Sequence, residues 1–125
     1  MDSEEALGLF SVRIGLAHPT DPSRQTEVEL LVDTGATLSW VPQEILDPLG
    51  VPRLGRRAFL LADGRQIERD TAGVVMRVDG TQALVTVVAG EAGDGRLLGA
   101  TALESLGYGV DPIGRRLVPH TLLAM

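Results

Sequence analysis

The stretch Leu30-Leu31-Val32-Asp33-Thr34-Gly35-Ala36 decides how this 125-residue chain is read. Three apolar residues in a row mark the end of a strand covered on both faces. An ionisable carboxylate directly after such a run is costly to desolvate unless a partner stabilises it or a proton neutralises it. The next two residues supply the means. Thr34 offers a short hydroxyl that donates or accepts, and Gly35 lets a backbone N–H approach closely and permits unusual dihedrals.

Outward from this stretch the pattern is mostly β, because apolar residues alternate more often than they recur at helical spacing. Upstream, Phe10, Val12, Ile14 and Leu16 share one face of a first strand. A turn region at His18, Pro19, Asp21, Pro22 and Ser23 precedes the strand Thr26 to Val32. Downstream, Ser39 to Val41 is a short strand, and Pro42 to Leu49 a short helix with proline in its first turn. Leu54 to Leu61 and Gln66 to Thr71 flank Ala62-Asp63-Gly64-Arg65. Asp79-Gly80 sits likewise between Val74 to Val78 and Ala83 to Ala89. An Asp-Gly pair between two such runs predicts a tight hairpin whose central residues both take positive φ. Gly90 to Gly95 is a loop, Ala100 to Leu106 a short helix closed by Gly107 as a left-handed cap, and Val110 to Pro119 a last strand pair.

Composition narrows the function. The chain carries 17 acidic against 11 basic residues, a formal charge of −6, and no cysteine. One globular domain over 1–125 fits this length, with 1–9 and 120–125 as candidate arms. Without cysteine there are no disulfides, thiolate metal sites or thiol nucleophiles. Every basic residue is arginine, which excludes a Schiff-base or P-loop lysine. The acidic balance and the four aromatics argue against nucleic acid. Asp2, Glu4 and Glu5 stand where a secretory leader would be basic, and no apolar run approaches a membrane span, so a cytoplasmic location is expected. His18 and His120 lack a second ligand at metal spacing, and neither a metal nor a cofactor is expected. Ser11, Ser39 and Ser105 show no nucleophile-elbow pattern. Trp40 is expected in the core near the site.

Asp33-Thr34-Gly35-Ala36 resembles the active-site motif of the aspartic proteases, and Leu38-Ser39-Trp40-Val41-Pro42 looks like the segment that follows it in pepsin-like members. Leu97-Leu98-Gly99 with the helix Ala100 to Leu106 resembles a second family element. Its separation from Asp33 is similar to that in retroviral-type enzymes, and the Asp63-Gly64 hairpin lies where that family has a mobile flap. Only one Asp-Thr-Gly occurs, as in retroviral-type chains that dimerise. The closest likeness is to stand-alone retroviral-like proteins of prokaryotes.

The resemblance implies a closed retropepsin-like β-barrel with a flap hairpin and one or two short helices, acting as a homodimer. It implies an aspartic endopeptidase in which two copies of Asp33 share one proton and activate a water against an extended peptide or protein substrate. It assigns catalysis to Asp33, Thr34 and Gly35, and flap and cleft contacts to Ala36, Ala62, Asp63, Gly64, Arg65 and Leu98. The sequence departs from the retroviral pattern at Thr37 and Ala100, where those enzymes commonly pair an aspartate with an arginine. Both partners are absent together, so no charge is orphaned. The departures, with a flap less rich in glycine, motivate a rival expectation: a non-catalytic dimeric domain that binds peptides or proteins.

Overall fold

The computed structural model describes residues 9–120. Nine strands and two short helices follow one another as β1 (Ser11–Ala17), β2 (Gln25–Val32), β3 (Ser39–Pro42), α1 (Gln43–Leu49), β4 (Arg53–Leu60), β5 (Gln66–Val78), β6 (Thr81–Gly90), β7 (Leu97–Leu98), α2 (Ala100–Leu106), β8 (Tyr108–Asp111) and β9 (Arg116–Pro119). The first seven strands form one sheet in the order β1-β2-β7-β3-β6-β5-β4, and β8 and β9 pair separately. A second ladder joins β1 back to β5 through Gly15–Arg77, Leu16–Met76 and Ala17–Val75.

Period-two alternation sets which side chains go inward. Along β2 the buried residues are Val28, Leu30 and Val32, and along β1 they include Ile14 and Leu16. Val74, Met76, Val87 and Leu98 meet them in the same core, and Leu46 and Leu103 seat the two helices on it. Leu31 is only half-buried, so the end of β2 is covered fully on one face and partly on the other.

Two hairpins carry the Asp-Gly signal, and they differ. At Asp79-Gly80 both residues have positive φ (46° and 83°), as the two-residue turn requires. At the β4–β5 tip only Gly64 does (φ 88°). There Leu61 N–H donates to the Arg65 carbonyl and Gly64 N–H to the Leu61 carbonyl, so the loop is longer than the two-residue turn expected. Where two strands are expected at Gln66 to Thr71 and Val74 to Val78, the structure has the single strand β5. Ladders to β4 on one side and β6 on the other carry it through Ala72 and Gly73. Gly107 closes α2 in the left-handed region (φ 78°), as expected. The last hairpin starts at Tyr108, two residues earlier than the pattern indicates, and uses Leu117 to Pro119 within the chain. Apart from Leu9 and His120, the candidate arms lie outside the described residues.

Candidate active site

The connectivity around Asp33 follows from where β7 lies. This two-residue strand runs parallel to β2 and antiparallel to β3, filling the gap between strands adjacent in sequence. The 33–38 loop joining β2 to β3 must therefore pass over the end of β7. Asp33 N–H donates to the Leu98 carbonyl (2.9 Å), which extends the parallel ladder by one bond and fixes the residue that carries the carboxyl.

Beyond β7 the chain turns into α2 directly beneath the loop. Gly99 packs so closely that a Cβ there would lie 2.6 Å from the Leu38 carbonyl oxygen and 2.8 Å from that of Ala36. Only glycine fits this crossing, and the reason is space, since its φ of −93° is ordinary. Gly99 N–H donates to the buried hydroxyl of Ser39 (2.9 Å). The first N–H groups of α2 have no partners within the helix. Ala100 and Thr101 give theirs to the carbonyls of Ala36 and Thr37 (2.8 and 3.0 Å). Backbone hydrogen bonds thus tie together the two segments that an ion pair at positions 37 and 100 would otherwise join.

Within the loop, Gly35 N–H donates to Asp33 Oδ1 (2.9 Å), and Ala36 N–H to the Asp33 carbonyl (3.2 Å). Asp33 faces a cleft of about 630 Å³. It is lined by Gly35 and Ala36 of the loop, by Trp40 and Leu97, and by the hairpin residues Ala58 to Ala62 and Arg65. Trp40 is half-buried rather than core, and its ring meets that of Phe59 edge to face with centroids 5.3 Å apart, linking β3 to the hairpin. Gly93, Asp94 and Gly95 complete the lining.

Of the residues singled out from sequence, the structure brings Asp33, Gly35, Ala36, Ala62 and Arg65 to this cleft. Leu98 is not there: it is fully buried, because neighbouring residues of a strand face opposite ways and Leu97 takes the cleft side. Asp63 and Gly64 sit at the exposed hairpin tip. Asp63 accepts from Arg65 through both its backbone N–H (3.0 Å) and its Nε (2.7 Å), which holds the Asp63 carboxyl below the usual carboxylate range. Thr34 is exposed beside Asp33 but lines a separate groove with Leu103, Tyr108 and Val110.

Sequence reasoning missed the structural part of Ser39 and the reach of Arg69 to Asp94. Neither has a local signal, since the partners lie 60 and 25 residues away. Among the described residues no three His, Asp or Glu side chains converge as a metal site. No helix there is long and apolar enough to cross a membrane.

Asp33 thus presents a carboxylate held by a neighbouring N–H, over a strand threaded between β2 and β3. Residues 24–105 match the family model described as "gag-polyprotein putative aspartyl protease", and the chain belongs to that family. Among solved structures it is similar to EIAV protease complexed with the inhibitor HBY-793, with a TM-score of 0.62 and 17% identity over 82% of this chain and 91% of that one. A retropepsin-like aspartic protease from Rickettsia conorii is also similar, with a TM-score of 0.52 and 20% identity over 82% and 87% of the two chains. No curated protein matches the chain significantly.

Proposed function

We propose that the chain is an aspartic endopeptidase that works as a symmetric homodimer, each subunit supplying one Asp33. The observation that carries this reading is the placement of Asp33: it lines an open cleft, its backbone N–H bonded to the Leu98 carbonyl and its carboxylate to the Gly35 N–H. One such carboxyl is half of a dyad. A two-fold axis beside the exposed Thr34 would bring the second within a few Å, where like charges do not both ionise cheaply. The two would then hold one proton between them. The ionised member takes a proton from a water between them, and the protonated member polarises the scissile carbonyl before a proton passes to the leaving amine.

Thr34, by its exposure at this face, would contact the partner and steady the carboxyl plane, while Gly35 supports a carboxylate oxygen. The circuit of pairings that returns from β5 to β1 is read here as a closed barrel carrying the site. The β4–β5 hairpin would act as a flap over an extended peptide or protein substrate, with Ala36, Ala62, Asp63, Gly64 and Arg65 as its contacts. Leu97 takes the cleft contact first given to Leu98. Residues 1–125 act as one domain, and the reaction needs no metal or cofactor. The likeness to EIAV protease, whose structure holds the inhibitor HBY-793, supports a ligand-binding role for this cleft.

Digestion of a peptide library from acidic to neutral pH, with and without a statine-type inhibitor, tests the proposal. Cleavage blocked both by the inhibitor and by Asp33→Asn is the expected result. Inhibitor binding without any cleavage would instead favour the binding-only domain, for which the Arg65 clamp on the hairpin tip is the motive.

A further inference from the structure

The proposed chemistry uses Asp33 and leaves another wall of the cleft unexplained. That wall is the segment between β6 and β7, where Gly93, Asp94 and Gly95 face the cleft. It contains glycine at 90, 93 and 95, with Gly93 in the left-handed region (φ 89°), and Ala92 is exposed. Such a segment has no apolar anchor and much conformational freedom to lose.

What holds it is Asp94. Its Oδ2 accepts Glu91 N–H (2.7 Å), and Asp94 N–H donates to the Glu91 carbonyl (3.0 Å). Both carboxylate oxygens also accept from Arg69 on β5, Oδ2 from Nε (2.8 Å) and Oδ1 from Nη2 (3.1 Å). The two side chains are only 16% and 15% exposed, whereas the surface pair Arg13–Glu27 is 72% and 60% exposed. Arg69 spends Nη1 on the Glu68 carbonyl (2.8 Å) and lies 3.7 Å from the Glu91 carboxylate. A two-pronged arginine fork fixes orientation as well as distance. Its base on β5 is held by the ladder to β4, where Arg69 pairs with Arg57, and the ladder to β6 begins two residues further on at Thr71.

We propose that the Arg69–Asp94 pair is a positioning device that sets how large a substrate side chain the cleft accepts. Because Gly93 and Gly95 present no side chains, the limit on that side is the backbone itself. How far that backbone reaches into the cleft is whatever the Arg69 fork imposes. The inference rests on the peptide-cleft reading given above.

Two fluorescein-labelled statine peptides serve as probes, one with phenylalanine and one with alanine beside the statine. Their Kd ratio is measured by anisotropy for the unaltered protein, Asp94→Asn and Arg69→Gln, with Glu27→Gln as a control that breaks an exposed ion pair remote from the cleft. The ratio is expected to move by about fivefold or more, in the same direction in both cleft variants, and to stay put in the control. The use of either partner keeps the test intact if one variant fails to fold. A lowered Tm with an unchanged ratio overturns the inference and leaves a merely stabilising ion pair. If neither probe binds the unaltered protein, the peptide-cleft reading fails first and takes the inference with it.

Discussion

At the scale of single residues, the site depends on Gly35, Ser39 and Gly99 besides Asp33. Asp33→Asn keeps the shape and the Gly35 hydrogen bond but removes the charge that activates water. Proteolysis should fall by about a thousandfold or more with unchanged Tm, measured by initial rates on a fluorogenic peptide. Gly99→Ala forces a methyl to within 2.6 Å of a backbone oxygen, with no flexible side chain to yield. It should cost about 3 kcal/mol, read as a drop in the urea midpoint, and move the 33–38 loop. Ser39→Ala strands the buried Gly99 N–H and should cost about 1–3 kcal/mol by the same measurement. Asp33 and Gly35 were visible in the sequence because their chemistry is local: a charge after an apolar run, then a residue without a side chain. Gly99 was visible only as part of a pattern. The reason it must be glycine is a contact with residues 36 and 38, which no linear reading displays.

At the scale of elements, the sequence showed most strands, both helices and both hairpins, since alternation and Asp-Gly turns are short-range signals. It failed where tertiary pairing overrode them. Ala72-Gly73 breaks the apolar alternation but not the strand, because β4 and β6 bond it from both sides. Trp40 is large and apolar yet opens onto the cleft, since its T-shaped contact with Phe59 leaves it half-buried. The loop after β6 looked featureless because its anchor, Arg69, arrives from another strand. That anchor also has a pH signature. The hydrogen bond from Arg69, then that from Glu91 N–H, lowers the Asp94 pKa below its ordinary value. A carboxyl with a depressed folded pKa stabilises the protein above its unfolded pKa and ceases to do so as pH falls through the folded one. The Tm difference between the protein and Asp94→Asn should therefore be constant near neutrality. It should shrink only below the ordinary aspartate range, as followed by calorimetry across pH; a difference that vanishes already near neutral pH would contradict the assignment.

At the scale of the whole molecule, each subunit brings a formal charge of −6 to the proposed dimer. Mutual repulsion opposes association at neutral pH and low salt, and a shared proton must be kept in the dyad. The dimer fraction and the rate should both rise from about pH 8 towards about pH 4, and added salt should favour the dimer at the upper end, by sedimentation and kinetics. A flat profile in both would count against the mechanism, and a strict monomer that cleaves peptides would end it. The threading of β7 between β2 and β3 has one more consequence, and it concerns time. Synthesis runs from the N-terminus, so β2, Asp33 and β3 emerge long before Leu97 and Leu98, and the gap between the two strands stands empty meanwhile. Until Leu97 to Thr101 are made, the loop that carries the carboxyl has neither the β7 carbonyl that accepts from Asp33 nor the α2 N–H groups that hold the Ala36 and Thr37 carbonyls. A ribosome-bound fragment that ends before Gly99 thus holds Asp33 without the neighbours that seat its loop, and the cleft takes shape only after Leu97 to Thr101 have been made.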